Sequence, residues 1–298
     1  MTNTIIVLMT KEVRDAMRSW WLLLYAVLFT LLALALSFLG QRNLGSLGFE
    51  NFSRTTASLV NLCLLLTPLI ALSLGAGTIA GEREQGTLTY LLSQPVNRRE
   101  ILLGKFAGLV SAIGIATVGG FGVAGVVIAL YGSAMDVGTY LAFLGLVLAL
   151  VAVMTGLGLV ASVLSPTRVQ ALGMSLMVWF AAIFLFDLLL IGMISTVSVG
   201  EGWLLLAVLI NPIEIVRVLA ILQLEPDLEV LGPFGAFVIQ RLGTSGATAL
   251  LSGALVAWIA APLYLATSLF EREGPKYART PLRARAAPSA RASRAGGS

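Results

Sequence analysis

The sequence predicts an all-α polytopic membrane protein with six transmembrane helices. An N-terminal amphipathic elbow helix precedes them, and a short cytoplasmic surface helix joins the second to the third. Three observations carry this. Apolar residues make up 58% of the chain and charged residues 11%, with a mean hydropathy of +0.94; a soluble domain has about 45–50% and about 25%. The apolar runs are long enough to cross a hydrocarbon core of about 30 Å, which takes roughly 20 helical residues. The few charges cluster between those runs.

Residues 1–18 form the elbow. Ile5, Met9, Val13 and Met17 recur every four residues, while Lys11, Glu12, Arg14, Asp15 and Arg18 fill the rest of the circle. Such a helix lies in the headgroup plane. Three bases directly before the first apolar run, with no small-residue cleavage site after it, argue against a signal peptide.

Residues 19–270 hold the spans, read at 19–39, 55–80, 101–131, 139–164, 169–193 and 246–270. The third is too long for one straight span, so its first turn is expected in the interface or the helix is expected to tilt. Loops 40–54 and 132–138 are short. In the turn Ser165 to Arg168, Pro166 cannot continue the preceding helix. The segment 194–245 is the longest between spans, yet it holds the apolar runs Trp203 to Ile210 and Ile215 to Leu224 around Asn211-Pro212. Those runs are too short to span and too apolar for water, so short helices on or in the outer leaflet are expected. Asn211 is placed to cap the second run. Residues 271–298 form a basic tail too rich in Ala, Arg, Ser, Pro and Gly to fold by itself.

Charge sets the orientation. With the N-terminus inside, Lys11, Arg14, Arg18, Arg83, Arg98, Arg99, Lys105 and Arg168 fall on one side with the seven bases of the tail; Arg42, Arg54, Arg217 and Arg241 fall on the other. Fifteen against four puts both termini in the cytoplasm of an inner-membrane protein. The basic excess belongs to the tail, whose functional use would be attraction to anionic lipid; no nucleic-acid partner is expected.

Chemistry-bearing motifs are few. There is no His, and Cys63 is the only Cys, expected as a small buried side chain. A catalytic triad, a metal site and a residue set for membrane enzymology are therefore not expected. Met174 and Met177 share a helix face but read as packing rather than copper ligands. Around Gly104-Lys105 the phosphate-binding loop pattern fails, with Arg99 at its first Gly and Phe106 at its Ser/Thr. Small-residue pairs at helix-packing spacing are Gly104 with Gly108, Gly158 with Ser162, and Gly253 with Ala257. Asp187 lies within the fifth span, where a carboxylate is costly and often functional. The polar residues Ser58, Asn61, Thr67, Gln170 and Ser175 of spans two and five point to no ligand class. Glu225, Asp227 and Glu229 make the outer segment acidic and are candidates for docking another protein.

The stretch "GEREQGTLTYLLSQPVNRREILLGK", Gly81 to Lys105, is the most charged before the tail. Gly86 breaks the helix of the second span, Thr87 is expected to cap a short helix, and Leu88, Leu91 and Leu92 give it one apolar face. Pro95 ends it. Asn97 with Glu100 then opens the third span as a variant capping box.

This stretch resembles the signature of ABC-2 type transporter permeases between their second and third membrane helices. The triplet Glu82-Arg83-Glu84, the Gly86-Thr87 pair, "LLSQPV", Arg98-Arg99 and "LLGK" fall in order, and "KEVRDAMRSWW" is similar to the family's start. "LFDLLL" around Asp187 and "LINPIEIVRVL" from Leu209 are similar, within the family, to permeases that serve copper-site maturation of nitrous-oxide reductase. The resemblance implies a permease homodimer that recruits cytoplasmic ATPase subunits, with residues 81–100 as the coupling region. Its coupling residues would be Glu82, Arg83, Glu84, Gly86, Thr87, Leu88, Leu91, Leu92, Arg98 and Arg99. This chain would bind no cofactor; ATP and Mg2+ would sit on the partner. The alternative is a mechanotransmitter that passes ATPase motion to an extracytoplasmic protein without moving a substrate.

Overall fold

The computed structural model describes residues 2–42, 50–93, 96–131, 137–196, 201–224 and 232–272, all but a few of them helical. The helices are α1 (Thr2–Met17), α2 (Trp20–Arg42), α3 (Glu50–Glu84), α4 (Thr87–Leu92), α5 (Arg98–Tyr131) and α6 (Val137–Leu164). After them come α7 (Arg168–Phe180), α8 (Phe186–Thr196), α9 (Glu201–Ile210), α10 (Pro212–Leu224) and α11 (Gly232–Arg272). Five helical stretches among the described residues are long and apolar enough to cross a membrane: Val60–Glu84, Arg98–Val126, Gly138–Leu164, Arg168–Gly192 and Arg241–Arg272. Two bent pairs add to them: α1 with α2 at 66°, and α9 with α10 at 113°. All-helical construction is what a bilayer requires, since a helix satisfies its backbone within itself.

The core forms where α3 crosses α6, with α2 and α5 on one flank and α10 and α11 on another. Glycine sets how near the helices come. A Cβ on Gly158 would lie 2.6 Å from the Leu72 carbonyl oxygen, and one on Gly75 would lie 2.8 Å from that of Thr155. No side chain fits there, so the two backbones touch. At the same crossing the Ser162 hydroxyl oxygen accepts from the backbone N–H of Ile79 (2.8 Å) and Ala80 (2.9 Å). The small pair Gly158 with Ser162 thus packs α6 onto α3. Gly104 and Gly108 face α1, where added Cβ atoms would meet Leu8 at 2.7 Å and Glu12 at 2.6 Å. Gly253 faces open space.

Tyr25 ties α2 into the same core: its hydroxyl lies 3.0 Å from that of Thr117 on α5 and 3.3 Å from that of Thr67 on α3. Cys63 is fully buried beside it in the core.

Three expectations change in detail. The fifth span is one run with a π-turn, Ala181–Leu185, between α7 and α8. The last span, expected from residue 246, is Arg241–Arg272, and α11, which contains it, breaks near its start at Gly243, whose φ of 68° and ψ of 166° suit glycine. The packed face of α1 also differs from the four-residue series read from sequence. Ala16 is buried and Glu12 half-buried, while Met17 is exposed.

Gly158→Ala is expected to cost about 1–3 kcal/mol of stability through overpacking against the Leu72 carbonyl. Gly253→Ala, with nothing within 4 Å, should leave the melting temperature in detergent unchanged. Equal melting of both variants would reject the contact.

Candidate functional site

The charged triplet at the end of α3 engages three directions at once. Glu82 pairs with Lys105 of α5 at 2.8 Å, and Lys105 pairs with Glu12 of α1 at 3.1 Å. The Lys105 side chain is 4% exposed, so its charge is neutralised by these two carboxylates rather than by water. Arg83 donates to the carbonyl oxygens of Val163 (3.1 Å) and Ser165 at the end of α6, where a helix leaves acceptors unpaired. Glu84 accepts from the Arg168 N–H at 2.9 Å, and Thr167 accepts from the Gln170 N–H at 3.4 Å, so both cap the start of α7.

The chain then reverses at Gly86, whose φ of 76° lies in the left-handed region. Gly86 occupies the N-cap position of α4 without a side-chain bond, so Thr87 is not the cap expected from sequence. Thr87 is the first helical residue, and its hydroxyl donates to the Glu82 carbonyl at 3.2 Å. Leu88 is buried and Leu92 packs beside it on Ile79, Leu102, Leu159, Val163 and Phe270; Leu91 is half-buried. Thr87, Thr89 and Tyr90 stay exposed, Tyr90 at 75%. Pro95 lies outside the described residues. The Asn97 N–H donates to the Glu100 carboxylate at 3.2 Å, which is one half of the expected capping box. Arg98 donates to the Phe270 carbonyl at 2.9 Å and lies over its ring at 5.4 Å, and Arg99 pairs with Glu271. The floor under α4 is therefore built from α3, α5, α6 and α11.

Beside this knot a cavity of about 550 Å³ opens between α1, α2, α3, α5 and α7. Glu12, Asp15, Glu82, Lys105 and Arg168 line it at the end near α4, and Leu24, Leu28, Leu66, Leu69 and Ile70 line it farther along the helices.

At the other end of the bundle, Asn211 stands at the 113° bend between α9 and α10. Its side-chain oxygen accepts from the Ile213 N–H at 3.1 Å, the capping role expected of it, and its amide donates to the Ala182 carbonyl at 2.6 Å within the π-turn. Trp258 of α11 donates to the Leu209 carbonyl at 3.0 Å, at the last turn of α9. Asp187 does not stand alone. Arg217 of α10 pairs with it at 3.6 Å and with Glu214 at 2.7 Å. Among the described residues no group of three or more His, Cys, Asp and Glu is placed to hold a metal ion.

Residues 6–274 match the family described as ABC-2 family transporter protein. This chain belongs to the ABC-2 transporter family. It is 35% identical over 274 residues to the probable ABC transporter permease protein NosY of Stutzerimonas stutzeri, covering 88% of this chain and 96% of that one. The same share of each chain is covered by the match to the Pseudomonas aeruginosa protein of that name, 35% identical over 272 residues. The chain is thus the membrane subunit of an ABC transporter and a multi-pass membrane protein, and the permease family is not itself catalytic.

In this ABC-2 permease the sequence-selected residues divide by the way they face. Glu82, Arg83 and Glu84 are tied to their own chain's helices, Glu84 while still exposed, and buried Leu88 with half-buried Leu92 forms the base of α4. Gly86 and Thr87 stay at the surface, while Arg98 and Arg99 hold the end of α11. Glu225, Asp227 and Glu229 lie outside the described residues, as does the tail from residue 273. Sequence reasoning missed Glu12, Lys105, Glu214 and Arg217 as members of charge clusters. For the last two a signal existed: an acid and a base three apart on an apolar helix share a face.

Lys105→Met should lower stability by about 3–5 kcal/mol, because it strands Glu12 and Glu82 without a counter-charge. The triple variant Glu12→Gln, Glu82→Gln, Lys105→Met should recover most of that loss in thermal melts. A triple variant no better than the single one would show that the three charges do not act as a unit.

Proposed function

We propose that this chain is the permease of an ABC-2 transporter driven by a separate cytoplasmic ATPase, and that the ATPase docks on α4. The reading rests on one observation. The outer face of α4 carries exposed Tyr90 beside Thr87 and Thr89, while the triplet just before it is tied to α1, α5, α6 and α7. A push on that face moves four other helices through short polar contacts. Glu82, Arg83, Glu84, Leu88 and Leu92 transmit; Thr87, Tyr90 and the edge of Leu91 receive. Arg98 and Arg99 carry the same motion to α11. ATP and Mg2+ bind on the partner, and this chain needs no cofactor of its own. Both termini face the cytoplasm of an inner-membrane protein, in line with the fifteen-to-four distribution of bases. The permease works as a homodimer; the apolar stretch along α7 and α8 has few fully buried residues, unlike those of α3, α5 and α6, and its exposed side, with Met177, Phe184, Leu188 and Ile191, leaves room for a second copy.

Tyr90→Asp and Leu91→Asp should each weaken retention of the ATPase about thirty-fold, the loss typical of a buried anchor at an interface, and should leave the permease melting temperature unchanged. Full assembly and coupled ATP turnover in both variants would reject α4 as the docking element.

A second reading is favoured by the outer end. The α9–α10 hairpin is fastened to α8 by the Asp187–Arg217–Glu214 cluster and to the π-turn before it by Asn211, so inner movement reaches an outer surface. In this reading the permease transmits force to an extracytoplasmic protein, with Glu225, Asp227 and Glu229 as its docking patch. Reversing those three charges should abolish co-purification of that protein while sparing membrane insertion and basal ATP hydrolysis. Unchanged retention would remove the patch from the contact.

A further inference from the structure

A second groove, of about 630 Å³, lies between α5 and α11 at the end of the bundle that carries α4. Its lining is graded along α11. Leu103, Ala260 and Leu263 form an apolar wall, Tyr264 follows, and Ser268, Glu271 and Arg272 lie toward the end of the helix with Arg99. On α11 these residues recur at three- and four-residue steps, so one helix face passes from apolar to charged over about three turns. Tyr264 is 76% exposed along this face, and an aromatic ring with a polar tip is characteristic of the boundary between hydrocarbon and headgroup.

The charges at the rim do not cancel. Arg99 and Glu271 neutralise each other in a two-bond pair. Arg272 is exposed and has no hydrogen-bond or ion-pair partner among the described residues, and neither does the Tyr264 hydroxyl. The rim is therefore net positive by one, with two unused donors above an apolar wall. The excess positive charge of the rim itself favours an anion over an ammonium headgroup.

We propose that this groove seats an anionic phospholipid. The phosphate lies against Arg272 and the Tyr264 hydroxyl, and one acyl chain lies along Leu103 and Ala260. The lipid then bridges α5 and α11 beside the floor on which α4 rests. The assignment to the cytoplasmic leaflet rests on the orientation proposed above; the seat itself does not.

The test uses the full-length permease in nanodiscs of equal parts phosphatidylcholine and phosphatidylglycerol, followed by detergent extraction and native mass spectrometry of the retained lipid. The wild-type protein should retain phosphatidylglycerol preferentially. Arg272→Gln should reduce that preference about five-fold, the factor expected for one base near a membrane surface. Ala260→Trp fills the exposed apolar wall and leaves every charge, including the whole tail, in place; it should reduce the preference as much. Equal retention of the two lipids by wild type would overturn the proposal. So would a preference that survives Ala260→Trp, since the tail alone would then hold the lipid. A photo-cross-link from position 260 to a second protein chain would overturn it as well. A reversed topology would show in labelling of a cysteine placed at Ser289 from the opposite side, and would leave the retention result unaffected.

Discussion

Lys105 holds the end of the bundle that carries α4 together because its two counter-ions come from two different helices. An ammonium removed from water loses several kcal/mol of hydration, and only close carboxylates in good geometry repay it. Glu12 reaches it from α1 and Glu82 from the end of α3. That meeting requires α1 to lie hard against α5, and Gly104 and Gly108, which flank Lys105 on the facing side, remove the Cβ atoms that would prevent it. Charge pairing and close packing are thus conditions for one another. The amphipathic helix that sequence reasoning laid on the membrane surface is in fact a packed member of the fold along part of its length.

Once Glu82 is committed to Lys105, helix geometry directs its neighbours. Successive residues on a helix point about 100° apart, so three consecutive charges fan out over most of the circumference. Arg83 meets the end of α6 and Glu84 the start of α7. Both partners are the unpaired backbone groups that every helix end leaves. The Ser165–Arg168 turn is therefore held at its two ends by adjacent side chains of α3. A triplet of this kind turns a loop connection into a joint. The left-handed Gly86 then redirects the chain at once, and α4 lies over the joint with Leu88 beneath it and Tyr90 above.

The opposite end solves a different problem with similar means. A hairpin bent by 113° exposes the last carbonyls of one helix and the first amides of the next. Asn211 caps the second helix with its oxygen and reaches Ala182 with its nitrogen, while Trp258 satisfies Leu209. The π-turn at Ala181–Leu185 shifts the register of α8 relative to α7 by the residue it adds. Beyond it, Asp187 lies within reach of Arg217. A carboxylate that looked isolated in an apolar run shares its charge with a base from an element about thirty residues on.

The sequence by itself determined the elements and their environment. Apolar length marked the spans, glycine and proline marked the breaks, and the fixed order of residues from Gly81 to Lys105 carried the family, because these are local properties that a helix expresses wherever it sits. Gly86 was legible for that reason, as was Asn211 as a cap. The partners of the charges were not. Glu12 was placed on the wet face of α1, Lys105 was read as a cytoplasmic base, and Thr87 was given the N-cap position that Gly86 occupies. Which carboxylate meets which ammonium depends on how near two helices come and how each is rotated about its axis. For Glu12 and Lys105 the approach is allowed by glycines of a helix about ninety residues on, so only the tertiary structure decided which charges joined the helices and which face of α4 stayed exposed.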